Sequence, residues 1–118
     1  MSFLALPSVA EPVTLPSGGQ VDLHEILTES GDDAKVTRLR YVTIGYAPDA
    51  AGQDSTLRDA TFLCQNRALP ILSQPTDGQT IIISLADRAA PFGVMDASVA
   101  QIFEVFTVRN DTCIWEAF

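Results

Sequence analysis

The stretch 54-DSTLRDATFLCQNRALP-70 decides the fold. Leu57, Ala60, Thr61, Cys64 and Ala68 recur in it at the three- and four-residue spacing that stacks side chains on one side of a helix. Asp54 or Ser55 can serve as N-cap and Pro70 stops the run, so the pattern predicts a helix over about 55–68. No other segment reads so clearly as helix. The rest of the chain must therefore be arranged around one amphipathic helix, and Cys64 lies on its apolar stripe.

Outward from that helix the sequence is β-prone. On its C-terminal side, "SQPTDG" marks a turn and "QTIIISLADR" (79–88) is an apolar β-branched run of the kind that fills the middle of a sheet. "AAPFG" then reads as a loop. In "DASVAQIFEVFTV" (96–108) a helical spacing (Val99, Ile102, Phe103, Phe106) competes with strand alternation (Ile102, Glu104, Phe106, Val108). We expect a brief helical turn near Asp96 and then a strand, because Asn110 and Asp111 look like a two-residue hairpin turn leading into "TCIWEAF". On the N-terminal side, "PSGG" (16–19) separates two short β-prone runs, and the polar "ESGDDAK" leads to "VTRLRYVTIGYA" (36–47), a long strand. Arg38 and Arg40 alternate there with Leu39 and Tyr41, giving one wet face at the start. Beyond Arg40 the parity shifts, and Gly45 offers a place for a bulge or bend. The expected fold is α+β: an antiparallel sheet of about five to six strands with the helix packed on one face.

The hairpin register predicted by an Asn110–Asp111 turn pairs Val108 with Cys113 and Phe106 with Trp115. That aromatic, aliphatic and cysteine face needs cover, and the helix bearing Cys64 can supply it. In an oxidising compartment Cys113 would bond to Cys64, closing a loop of about fifty residues worth roughly 4 kcal/mol in the chain-entropy model. In a reducing one the two would remain buried thiols. The residues alone leave both open.

A chain of 118 residues predicts a single domain, here 11–118, and its 47% hydrophobic and 19% charged content is that of a globular protein rather than a disordered one. Fifteen acidic residues against seven basic give a net charge of -8, a field that repels phosphate backbones and anionic headgroups. Neither nucleic acid nor membrane insertion of the mature chain is expected. Residues 1–10 read as the remnant of an export signal or a disordered tail: Phe3 to Ala10 are apolar and small, and "SVA" resembles a signal-peptidase site, but the basic leader region is missing.

The catalytic inventory is thin. His24 is the single histidine and neighbours Glu25 on a strand, where consecutive side chains point apart. No glycine-rich phosphate loop, nucleophile elbow, zinc-ligand spacing or calcium loop occurs, so no catalytic residue, cofactor or metal is expected, and an enzyme is not the expected function. "SLADRAAPFG" (84–93) stands apart: Asp87, Arg88 and Phe92 follow an apolar strand, where a loop on a rigid support can present a contact site to a partner. A surface ion pair and a phenylalanine tucked into its own core account for the same residues.

Taken together, "VTLPSG", "VDLHEIL", "LRYV", "LCQNRALP", "IIISLADR", "PFG" and "CIWEAF" resemble an uncharacterised family of small exported bacterial proteins, a domain of unknown function, from about Glu11 to Phe118. An "acetolactate synthase" label attached to some such proteins is rejected for this chain, which offers nothing to hold thiamine diphosphate and its Mg²⁺. The resemblance implies an exported, periplasmic location and a disulfide joining Cys64 to Cys113; it implies no activity. The expected function is a non-catalytic periplasmic module that binds another envelope protein, as an accessory subunit of an envelope or membrane complex. The alternative is a small-ligand binding domain with a pocket between helix and sheet, supplied by aromatics such as Tyr41, Tyr46, Phe103, Phe106 and Trp115.

Overall fold

The computed structural model describes residues 12–30, 35–72, 75–94 and 96–117. The proposed export remnant, 1–10, lies outside them.

Six strands form one curled sheet whose spatial order follows the chain, β1 to β6. β1 (Val13–Thr14) and β2 (Gln20–Ser30) make a hairpin around "PSGG"; Gly18, at φ 94°, occupies a backbone conformation that a side chain would disfavour. β3 (Lys35–Thr43) runs antiparallel to β2, with a bulge between Leu23 and Glu25 where His24 sits. β4 (Thr80–Ala86) lies in the middle, as its Ile-rich sequence requires, followed by β5 (Gln101–Arg109) and β6 (Thr112–Glu116).

The sheet is mixed, which corrects the expectation of an antiparallel one. β3 and β4 are parallel, and the chain between them is the long crossover containing the helix that a parallel pair requires. A strand, a helix and a strand in succession carried that signal.

The helix α1 also differs in its ends. It runs as Gln53–Leu63, a wide π turn at Cys64–Ala68, and a last α turn at Leu69–Ile71. Gly52 is its N-cap in place of Asp54 or Ser55, and Thr56 bonds its hydroxyl back to the carbonyls of Gly52 and Gln53. Pro70 lies inside it. A proline in an α-helix clashes with the carbonyl four residues before; here the turn ahead of it is opened, the Leu69 amide donating to the Cys64 carbonyl five residues back.

The β5–β6 hairpin matches expectation. Asn110 and Asp111 have φ of 50° and 57°, the left-handed pair of a type I′ turn, and the register sets Val108 against Cys113 and Phe106 against Trp115. Residue 96 precedes a single turn and the strand starts at Gln101, so 96–103 is turn followed by strand.

Along β3 the alternation persists: Thr37, Leu39, Tyr41 and Thr43 are all buried, so the predicted parity shift does not occur, and the bend falls after the strand, with Gly45 at φ 80°. One cluster of buried side chains contains Leu39 and Tyr41 from β3, Ile81, Ile83 and Leu85 from β4, Phe106 and Val108 from β5, and Ala60, Leu63, Cys64, Ala68 and Leu69 from α1. Cys64 and Cys113 form a disulfide within it. Trp115 shares the Phe106 side of the sheet but is 38% exposed, its indole N–H donating to Glu104 at 2.6 Å. It closes the end of the core without filling it.

Candidate functional site

The arginine face of β3 is partly covered. Register places Leu27, Glu25, Arg38, Arg40, Ile82, Ser84, Phe103 and Val105 on the side of the sheet opposite Leu39 and Ile83, and segment 87–100 is drawn back over part of it. Arg40 is only 8% exposed. It is ion-paired with Glu25 across the β2–β3 ladder, and donates through Nη2 to the carbonyl of Ala90 at 2.7 Å. A single guanidinium thus ties two strands to the loop.

Asp87, Arg88 and Phe92 are all part of this arrangement, in distinct roles. Asp87 closes the base of the loop: its amide donates to the Ala100 carbonyl at 2.9 Å and its carboxylate accepts the Ala100 amide at 3.2 Å. Arg88 bonds the Ser98 carbonyl at 3.0 Å and lies beside Asp87 at 3.4 Å, an exposed pair. On the far arm, the Ser98 amide and hydroxyl both donate to Asp96, and these bonds hold the Asp96 carboxyl below its usual range. Phe92 does not tuck into the core. It is 48% exposed, and its ring rests on the guanidinium groups of Arg38 and Arg40, with Cζ-to-centroid distances of 4.9 and 5.6 Å.

Between loop and sheet lies a cleft of about 600 Å³, lined by Arg38, Arg40, Phe92, Val94, Ile102 and Phe103 among others. Its size falls among small-molecule pockets. Phe103 is 59% exposed, and Val94 and Ile114 also present apolar surface on or near this face. The reading of the residues had found Asp87, Arg88 and Phe92 but not Glu25, Arg38 or Arg40. The available signal was the alternation Arg38-x-Arg40 on a strand whose other side is apolar, which demands either solvent or a covering segment.

A second cleft, of about 490 Å³, opens where the end of α1 meets β1, β2 and β3; Tyr41, Arg67, Leu23 and Ile71 line it. Burial pushes the Tyr41 phenol up to about 12, with Arg67 opposing in part. His24 stands on the β2 bulge, away from any cluster of ligands; no group of three or more His, Cys, Asp or Glu side chains able to hold a metal occurs among the described residues. Cys64 and Cys113, both buried and bonded to each other, are structural.

Among the described residues no helix is long and apolar enough to cross a membrane. No curated protein and no solved structure matches the chain. The sequence profile of a family of unknown function, DUF6497, matches residues 2–118, and the chain belongs to that family.

Proposed function

We propose that this member of DUF6497 is a non-catalytic, exported module of the bacterial envelope that binds another protein through the sheet face bearing segment 87–100. The observation that carries the reading is the apolar surface left open there. Phe92, Val94, Phe103 and Ile114 are each at least 45% exposed, on a sheet and on a loop held by side-chain bonds at both arms. Apolar side chains gathered on a rigid support are what an interface core needs. In this reading α1 is packed over the other face and closes it, so the two faces have separate duties. A buried disulfide suits an oxidising compartment, which supports a periplasmic location. Accessory membership of an envelope or membrane complex fits the small size and acidity of the chain.

The test is site-specific photocrosslinking in the native envelope. A crosslinking side chain at Phe103 should capture one recurrent protein that the same group at Gln53, on the first turn of α1, does not capture. Equal capture at both positions counts against this face. Phe92→Ala should reduce capture while the protein stays folded, with a stability loss of less than about 1 kcal/mol; Arg88→Ala is the less clean change, since Arg88 also holds the Ser98 carbonyl.

The alternative, a small-ligand domain with its pocket between helix and sheet, is favoured by the Tyr41–Arg67 cleft. A compound retained by the native protein and lost on Tyr41→Ala would select it.

A further inference from the structure

The two arginines under segment 87–100 differ in what they have been given. Arg40 has a carboxylate, Glu25, and a carbonyl, Ala90. Arg38, two residues earlier on the same face, has neither: among the described residues its guanidinium donates to no acceptor and pairs with no acid. Its nearest cross-strand neighbours are apolar, while Asp96 and the Arg40–Glu25 pair share the cleft and its face. Register sets it between Leu27 on β2 and Ile82 on β4, and Phe92 covers it. Its five N–H donors meet solvent at the cleft and are free to take an acceptor brought by a ligand. This occurs in a chain of net charge -8, where acidic residues outnumber basic ones two to one. A carboxylate arriving at Arg38 would receive a bidentate charge-assisted pair beside the Phe92 ring.

We propose that the cleft takes an acidic side chain of the partner protein, flanked by apolar residues, with Arg38 receiving the carboxylate and Phe92, Val94 and Phe103 the apolar neighbours. The proposal rests on the interaction-module reading and gives its partner a chemistry. A carboxylate is favoured over a phosphate, because Arg40 is already paired with Glu25 and Asp96 brings the charges around the cleft to zero: Arg38 can answer one negative charge, whereas a dianion would meet repulsion from Asp96. The cleft is open toward solvent along the sheet, beside the exposed Phe103, so an extended segment can lie across it with only one side chain inserted.

The experiment uses the intact protein and two isosteric probes, acetyl-Leu-Glu-Phe-amide and acetyl-Leu-Gln-Phe-amide, with 3-phenylpropionate as a small free acid, titrated by NMR or calorimetry. The Glu peptide should bind on the order of tenfold more tightly than the Gln peptide, the ratio expected when one charge-assisted hydrogen-bonded pair is lost. Arg38→Gln should remove that preference and leave the Gln peptide's weak affinity unchanged. Arg38→Lys, which keeps the charge but not the fork, should weaken the Glu peptide several-fold and serves as the decisive variant if Arg38→Gln does not fold. Equal binding of the two peptides, no binding of either at millimolar concentration, or a preference that survives both substitutions would overturn the proposal. So would phenylpropionate binding as tightly as the Glu peptide, which would make the site a receptor for small acids. If crosslinking at Phe103 succeeds while the Glu preference is absent, the interface stands and the carboxylate site falls.

Discussion

The ring of Phe92 lies over the guanidinium of Arg38, 4.9 Å from Cζ to the ring centroid, and this contact joins a loop to a strand fifty-four positions earlier in the chain. The contact is half-exposed, so it belongs to the weak end of its class, about 0.5–1 kcal/mol. The neighbouring link through Arg40 is of another kind, since Arg40 is buried and its loss strands both Glu25 and the Ala90 carbonyl.

A ranking follows from that difference. Phe92→Ala should lower stability by less than about 1 kcal/mol, and Arg40→Ala by roughly 2 kcal/mol, with the Glu25 side discounted because that carboxylate is partly solvated. Urea unfolding of the two variants beside the parent measures both. If Phe92→Ala proves the more damaging, the loop is anchored by its phenylalanine and segment 87–100 owes its position to apolar packing.

The disulfide gives a prediction of larger size. Cys64–Cys113 spans a sequence separation of 49, and both residues lie in the core cluster. Cys64→Ser with Cys113→Ser should cost roughly 4 kcal/mol, a large share of the ~5–15 kcal/mol available to a domain of this size. Thiol counting under denaturing conditions without reductant should find no free thiol in protein taken from its native source. Two reactive thiols in that material would contradict both the bridge and an exported location.

How far the residues alone led depended on whether a segment's environment was local. The Asn110–Asp111 turn fixed its own register, and with it the pairing of Val108 with Cys113, because a two-residue loop leaves no freedom. The run of isoleucines at 81–83 announced a central strand for the same kind of reason: both its faces had to be covered. The parallel β3–β4 pair was less legible, since direction depends on what the connecting segment does and not on either strand. The helix end was misplaced because Pro70 forbids an α turn but not a wider one. Residues 89–93 read as a loop after a strand ending near Asp87 and Arg88; of the three residues singled out there, Phe92 emerges as the exposed one and Asp87 and Arg88 as the bonds that hold the arms of segment 87–100. Its destination, the arginines of β3, is fifty residues away, and nothing local specifies it. Register placed Trp115 on a face that needs cover, but its edge strand left it a partial exposure and a bond to Glu104.

Asp59 provides a third test. It is 2% exposed on α1 and accepts two bonds from Ser17, the amide at 3.0 Å and the hydroxyl at 2.6 Å, which staple the β1–β2 turn to the helix. Asp59→Ala leaves the Ser17 amide without its acceptor and should cost roughly 1.5–3 kcal/mol. Hydrogen exchange should locate the effect, with amides of the 15–19 turn losing protection before those of β4. A uniform loss across the sheet would mean that Asp59 supports the core and not the turn.

The two tyrosines supply the pH dependence. Burial raises the Tyr41 phenol to about 12 and raises Tyr46 as well, where the nearby Asp59 carboxylate adds to the effect. Tyr46 is wedged by its surroundings: a methyl group placed on Gly19 would meet its ring at 2.8 Å, and its hydroxyl is buried without a partner among the described residues. An acid whose folded pKa lies above its unfolded value, about 10 for a phenol, stabilises the fold fully below that value and loses the contribution as pH rises toward the folded one. The protein should therefore lose stability progressively between about pH 10 and 12 from these residues, with no tyrosine contribution to any acid transition. Absorbance of the phenolate near 295 nm reads the titration directly. In the folded protein the change should begin above pH 10, with the Tyr41 midpoint near 12, and in denaturant it should centre near 10. Tyr41→Phe should remove the upper part of the folded curve, leaving the Tyr46 step. A folded curve that coincides with the denatured one would mean that solvent reaches both phenols, which would open the core beside the Tyr41–Arg67 cleft and strengthen the small-ligand reading of that site.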